Sequence, residues 1–110
     1  MSVKEISDFI IEAKSLISNG KYDFVPRTKN LQALAKRGFS IENVKSEILS
    51  LEVMDYYKGP KQDFDNSRPG DIWEFKKCID GIQFYIKLKI ANENGENILK
   101  CLSFHDSEFT

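Results

Sequence analysis

The chain begins with apolar and polar positions arranged at a helical period. Apolar side chains recur every three or four positions, at Val3, Ile6, Ile10, Ala13 and Ile17. This spacing predicts an amphipathic helix with one buried face. Ser2 and Glu5 form a capping-box pattern at the start of this helix, and Gly20 is its expected end.

Two further helices are predicted within the first fifty residues. An extended segment at residues 21–25 precedes Pro26, and Thr28 is expected to cap a second helix that runs to Gly38. The expected apolar face of this helix consists of Leu31, Leu34 and Ala35. Ser40 is expected to cap a third helix. The buried stripe of that helix consists of Ile41, Val44, Ile48 and Leu51.

After residue 51 the pattern changes to the alternation that is typical of strands. Residues 53–59 fit a short strand, residues 60–70 a polar loop, and residues 72–79, 82–91 and 97–105 three longer strands. Asp80 and Gly81 join the first two long strands, because both central positions of a type I′ turn need positive φ. We therefore predict an α+β fold with two to three N-terminal helices packed on one face of a C-terminal antiparallel sheet.

The Asp80-Gly81 turn fixes the pairing of the first two long strands. Ile79 then lies opposite Ile82, and Glu74 lies opposite Lys87. The side chains divide into two faces. The apolar face, which must contact the helices, carries Trp73, Phe75, Phe84, Ile86, Leu88 and Ile90. The other face, called the polar face below, carries Glu74, Lys76, Gln83, Tyr85, Lys87 and Lys89.

The last strand admits two registers. A three-residue loop at 93–95 places Phe104 opposite Phe84 and puts His105 on the polar face, opposite Gln83. A four-residue loop shifts the pairing by one and sends His105 to the apolar face. We prefer the first register, because it sets apolar side chains opposite one another.

Composition limits the number of domains and the location of the protein. With 110 residues and 41% hydrophobic content, we expect a single domain over residues 1–110. The net charge of -1 and the pI near 5.8 give no overall attraction to nucleic acid, so any such site must be local.

No apolar run approaches the roughly 20 residues of a membrane span, and no signal-peptide pattern begins the chain. We expect a cytoplasmic protein without membrane contact. Cys78 and Cys101 lack zinc-site spacing and are expected to be free, buried thiols.

The polar face and His105 together have the parts for metal-free RNA cleavage. That reaction needs a base for the 2′-hydroxyl proton, cations for the charge on the phosphorus oxygens and an acid for the departing 5′-oxygen. Histidine, with an ordinary pKa of about 6.5, serves as base or acid. Lysines supply fixed charge, and tyrosine positions the phosphate or donates a proton. A solvated sheet face with a histidine at a strand end shows the same pattern.

The strands also carry four spaced motifs: Tyr57-Lys58, Asp71-Ile72-Trp73-Glu74, Gly81-Ile82-Gln83-Phe84-Tyr85-Ile86-Lys87-Leu88 and Leu102-Ser103-Phe104-His105. This set resembles the motility quorum-sensing regulator (MqsR) toxins of bacterial type II toxin-antitoxin systems. The resemblance implies a small mRNA endonuclease with a RelE-like α+β fold. It also implies a cognate antitoxin as partner and mRNA, free or presented by the ribosome, as substrate.

The resemblance assigns catalysis to Lys58, Glu74, Tyr85 and His105. The best-known members carry an amide where Glu74 stands and a lysine where His105 stands. A carboxylate repels the scissile phosphate unless it acts as a base or is neutralised by Lys87 across the strand pair. RNA is expected to be held locally by Lys61, Lys76, Lys87 and Lys89. We expect neither a cofactor nor a metal ion.

Two other classes of function remain open. The same lysines suit a non-catalytic RNA- or ribosome-binding module, and the fold alone suits a protein-interaction domain. Residues 63–74 imitate the spacing of a calcium loop, but Arg68 replaces the glycine of the sharp turn and Pro69 follows it. We therefore expect a polar loop there rather than a metal site.

Overall fold

The computed structural model describes residues 2–62 and 70–106. Within these ranges the chain forms helices α1 (Val3–Ser18), α2 (Thr28–Arg37) and α3 (Ile41–Leu49), a 3-10 turn (Val53–Asp55), and strands β1 (Tyr22–Phe24), β2 (Tyr56–Gln62), β3 (Asp71–Ile79), β4 (Ile82–Glu93) and β5 (Glu96–Asp106). The five strands form one sheet in the order β1-β5-β4-β3-β2. Only β1 runs parallel to its neighbour among the described pairs. The predicted α+β class is confirmed.

Two of the three predicted helix caps are confirmed. Ser2 Oγ accepts a hydrogen bond from the Glu5 N–H at 3.2 Å, and Ser40 Oγ accepts one from the Asn43 N–H at 3.2 Å. The prediction for Thr28 is wrong, because Thr28 is already the first helical residue. The N-cap is Arg27, whose extended backbone presents its C=O to the Leu31 N–H at 3.0 Å. The Arg27 side chain makes no capping hydrogen bond.

The segment before the long strands differs from the prediction. Residues 53–55 form a 3-10 turn, which the Asp55 carboxylate closes by accepting a 2.8 Å hydrogen bond from the Glu52 N–H. The strand expected at 53–59 is therefore displaced and becomes β2, which includes the first three residues of the expected polar loop. Residues 63–69, with most of the segment that imitates a calcium loop, lie outside the described residues.

The predicted pairing of β3 with β4 is confirmed. Asp80 and Gly81 have φ values of 52° and 79°, as a type I′ turn requires. Ile79 lies opposite Ile82, and Glu74 lies opposite Lys87. The division into an apolar and a polar face follows directly from this register.

The predicted register of β5 is wrong in its partners, although His105 does lie on the polar face. The turn has two residues, Asn94 and Gly95, so Glu93 pairs with Glu96. A β-bulge at Leu102 then shifts the register, and His105 lies opposite Tyr85 rather than Gln83. Without the bulge, this turn would send Phe104 to the polar face and His105 into the core. The bulge therefore reconciles the tight turn with the apolar pattern.

The apolar face of the sheet forms the core with the helices. Phe75, Phe84, Ile86 and Leu88 are fully buried, and Phe9 of α1 stacks on Trp73 with ring centroids 4.5 Å apart. Burying each large apolar side chain contributes about 1.5–3 kcal/mol. Of the two thiols, Cys101 is buried, whereas Cys78 is exposed, contrary to expectation. Among the described residues, no helix has the length and apolar character needed to cross a membrane.

Candidate active site

The polar face is organised in rows of residues that face one another across the strands. One row consists of His105, Tyr85 and Lys76, and the next consists of Ser103, Lys87, Glu74 and Lys58. The rows are adjacent, because Tyr85 and Lys87 are separated by a single residue on β4 and side chains alternate along a strand. The sheet therefore brings the predicted acid-base groups next to the predicted cations.

Glu74 lies at the centre of a cluster of lysines. Its carboxylate is 3.1 Å from Lys61 Nζ, 3.8 Å from Lys58 Nζ and 3.9 Å from Lys87 Nζ. The Glu74 side chain is only 10% exposed, whereas the three lysines are about half exposed or somewhat less. The positive charge beside Glu74 thus comes from Lys87, as predicted, and also from Lys58 and Lys61 of β2. The cluster keeps a net positive charge that faces outward.

An irregular β2 brings Lys58 and Lys61 to the same face. Residues three apart lie on opposite faces of a regular strand, but the register of β2 against β3 shifts between these two lysines. Gly59 permits the shift with a φ of 121°. A Cβ at this position would lie 2.7 Å from the backbone oxygen of Ile72, so only glycine allows so close an approach.

The two tyrosines at the start of β2 separate to the two faces. Tyr56 contacts Trp73 edge to face on the apolar side, with ring centroids 6.3 Å apart. Tyr57 lies on the polar face, where Lys76 Nζ is 3.7 Å from its ring centroid. The same ammonium group is 5.3 Å from the ring of Tyr85. Lys76 therefore links the histidine row to an exposed aromatic ring.

His105 is far less exposed than the sequence suggested. It is 6% exposed, its ring centroid is 6.2 Å from that of Tyr85, and its Nδ1 lies 3.2 Å from the Asp106 carbonyl oxygen. Burial lowers the pKa of His105, and the charges of Lys29 and Lys87 lower it further, against the opposing effects of Asp106. The neutral imidazole is favoured, and this is the form that accepts a proton.

Lys89 is more deeply buried than the other lysines predicted for the site. It is 4% exposed and lies opposite Lys100, in the row beyond Lys87. The Lys100 ammonium group is itself buried between Asp23, at 2.7 Å, and Glu93, at 2.9 Å. Lys58, Lys61, Glu74 and Lys87 thus form one cluster, and Lys76, Tyr85 and His105 form the adjoining row. Lys89 lies in the row of Lys61, on the far side of Ile72.

Helix α2 contributes residues to this region that were not predicted from the sequence. The predicted apolar face was partly wrong, since Leu31 and Ala35 are exposed, whereas Asn30 and Ala33 are buried. Arg37 Nε donates to the fully buried Asp106 carboxylate at 2.6 Å, which ties the end of α2 to the end of β5. The sequence signal that could have indicated a contact between α2 and β5 is Asn30 itself. Asparagine is uncommon inside a helix unless its amide has a hydrogen-bond partner.

The arrangement suits proton transfer beside a fixed positive charge. It combines a buried neutral imidazole, a phenol and lysines that surround a carboxylate. Within residues 2–62 and 70–106, no group of three His, Cys, Asp or Glu side chains is placed to hold a metal ion.

Comparison with known proteins assigns a family. A search of curated proteins finds no match. The sequence model described as "Motility quorum-sensing regulator, toxin of MqsA" matches residues 10–106, a span that includes all five strands. This description implies an antitoxin partner, MqsA. The chain therefore belongs to the MqsR family, whose members are the toxins of toxin-antitoxin systems.

Proposed function

We propose that this toxin is an endoribonuclease, an mRNA interferase of a type II system that acts in the cytoplasm as one RelE-like domain over residues 1–110. The observation that carries the proposal is the position of His105 opposite Tyr85, directly beside the row of Lys87, Glu74 and Lys58. Acid-base groups next to positive charge are what RNA cleavage by the 2′-hydroxyl requires.

The proton transfers fall to His105 and Tyr85. The neutral imidazole takes the proton of the 2′-hydroxyl as the 2′-oxygen forms a bond to phosphorus. The bond from phosphorus to the 5′-oxygen breaks, and the Tyr85 phenol donates its proton to that oxygen. The products are a 2′,3′-cyclic phosphate and a 5′-hydroxyl, and solvent returns the proton from imidazolium to phenolate.

The lysines stabilise the charge that builds on the phosphorus oxygens. Lys58, Lys61 and Lys87 surround Glu74, which holds their flexible side chains near one point before RNA arrives. Lys76 extends the cationic surface along the RNA strand, and Lys89 contributes its charge from below the surface. Because these groups supply charge and proton transfer, the proposal needs no metal ion or cofactor.

A non-catalytic RNA- or ribosome-binding module is the second candidate. The low exposure of His105, 6%, favours it, because a structural histidine is also buried. The lysine cluster and the exposed ring of Tyr57 would then bind RNA without cutting it.

Cleavage of RNA by purified protein distinguishes the two candidates. The unmodified protein should cut RNA in the presence of EDTA and leave 2′,3′-cyclic or 3′-phosphate ends. His105→Gln should lower cleavage by about 10²- to 10⁴-fold while RNA binding is retained. Gln83→Ala, on the same face beyond the cluster, is the matched control and should cleave normally. RNA binding without cleavage by the unmodified protein would instead establish the second candidate.

Expression in cells tests the same assignment. Induction of the unmodified protein should stop growth and produce new 5′ ends in mRNA. The double variant Tyr85→Phe/His105→Gln should do neither. Growth arrest that persists in this double variant refutes the assigned catalytic residues.

A further inference from the structure

On its outer edge, strand β5 stops pairing with β1 shortly before His105. Parallel pairing with β1 ends at Phe24 opposite Cys101, after which the Val25 N–H donates to the Cys101 carbonyl at 3.0 Å. Pro26 follows, and proline has no N–H to continue the pairing. Among the described residues, the outer edge of β5 from Leu102 onward therefore faces helix α2 instead of a strand.

The β-bulge lies at the same place. Lys87 pairs with Ser103 and Leu88 pairs with Cys101, which leaves Leu102 without a partner on β4. A bulge interrupts the ladder of hydrogen bonds, and buried backbone groups left without partners are costly. The bulge decides which face carries His105, so whatever stabilises the bulge also places the histidine.

The side chain of Asn30 supplies hydrogen-bond partners for backbone groups at and around the bulge. It is 1% exposed, and its Nδ2 donates to the carbonyl oxygens of Leu102 at 3.0 Å and Val25 at 3.1 Å. Its Oδ1 accepts a hydrogen bond from the Phe104 N–H at 3.1 Å. The carboxamide thus binds β5 on both sides of Ser103, and the last of these bonds is one residue from His105.

We infer that Asn30 is a positioning residue for His105, because its carboxamide fixes the bulge that sets the histidine opposite Tyr85. The inference rests on the proposed nuclease function. Asn30 also fixes α2 against β5, and the neighbouring Lys29 is one of the charged groups that surround the imidazole. Among the described residues, Tyr85 and Lys87 of β4 and Asp106 of β5 are the other charged and titratable groups seen to act on it.

The histidine itself provides the readout, because it is the only one in the chain and gives a single imidazole signal in NMR. In Asn30→Ala, the loosened β5 should expose the ring and raise the pKa of His105 toward its ordinary value of about 6.5. The kcat for RNA cleavage should fall by about 10- to 100-fold with little change in KM. Asn30→Ser, which supplies a hydroxyl that can donate and accept one hydrogen bond, should give smaller changes and serves if the alanine variant does not fold.

Ser40→Ala is the matched control for a simple loss of stability. It removes the side-chain cap of α3, whose hydrogen bond is to Asn43 and not to β5, and it should leave the titration of His105 and the kcat unchanged. An unchanged titration in a folded Asn30 variant overturns the inference, and so does a fall in kcat no larger than in Ser40→Ala. The titration does not depend on cleavage. If the unmodified protein fails to cut RNA, the nuclease proposal fails, but the titration still decides whether Asn30 positions the ring.

Discussion

At the scale of single residues, His105 gains its chemistry from what surrounds it. The ring is nine-tenths buried beside Tyr85, and burial is the main reason that its pKa lies below the ordinary value. Lys29 and Lys87 act in the same direction, because a positive charge disfavours a second one nearby. The result is an imidazole that stays neutral at a lower pH than that of an exposed histidine.

The pH dependence of cleavage follows from this lowered pKa. If neutral His105 is the base, kcat/KM should stay constant near neutrality and fall only as the pH drops through a value below about 6.5. The measurement is a profile of kcat/KM between about pH 5 and 8. A fall that begins above 6.5, or a rise toward acid, contradicts the role of His105 as base.

The types of site residue could be predicted from the sequence, but their environments could not. Glu74 and Tyr85 were placed on one face by the Asp80-Gly81 turn and strand alternation, whereas His105 was placed there through a register of β5 that the structure does not have. That Glu74 is buried among three lysines depends on how β2 approaches β3, across positions that are distant in sequence. Burial of Lys89 likewise depends on packing, for which its place in an alternating strand gives no signal.

At the scale of elements, the helix caps allow a paired prediction. Ser40→Ala removes a side-chain bond to the Asn43 N–H and should lower the free energy of unfolding by about 1 kcal/mol. Thr28→Ala should change it by less than about 0.5 kcal/mol, because Thr28 caps nothing. Urea denaturation measures both. Equal losses would contradict the assignment of Arg27 as the N-cap.

The close approach of β2 to β3 gives a second prediction at this scale. Gly59→Ala should displace β2 because the new Cβ meets the Ile72 carbonyl, with a loss of about 1–3 kcal/mol in stability and a clear loss of cleavage. Gly95→Ala is the matched control, since its φ is also positive, at 85°, but nothing lies within 4 Å of a Cβ there. The Gly95→Ala variant should still cleave RNA. Equal activity of the two variants would show that the spacing of Lys58 and Lys61 is unimportant.

At the scale of the whole molecule, positive charge is concentrated on one face of the sheet although the net charge is small. The net charge is -1, yet Lys58, Lys61, Lys76 and Lys87 lie together on the face of the sheet opposite the helices. Under the proposed function, a local patch of this kind attracts RNA at short range, while the molecule as a whole does not. The affinity for RNA should therefore depend on a few named lysines.

The salt dependence of RNA binding tests this view. Lys76→Ala should weaken binding and reduce the slope of log K against log salt by about 0.7, the value for one phosphate contact on a single strand. Lys4→Ala is the control, because Lys4 is exposed on α1, which packs on the other face of the sheet. It should leave the slope unchanged. Equal effects of the two variants would indicate binding by overall charge.

The sequence by itself determined the class of fold and the β3-β4 hairpin. These features depend on local signals, namely helical periodicity, alternation and the positive φ of Asp80 and Gly81. Only the tertiary structure decided the bulge at Leu102, the amide of Asn30 that supports it and the lysines gathered around Glu74. Each of these depends on backbone groups and charges that meet across distant parts of the chain, and short-range patterns carry no information about such meetings.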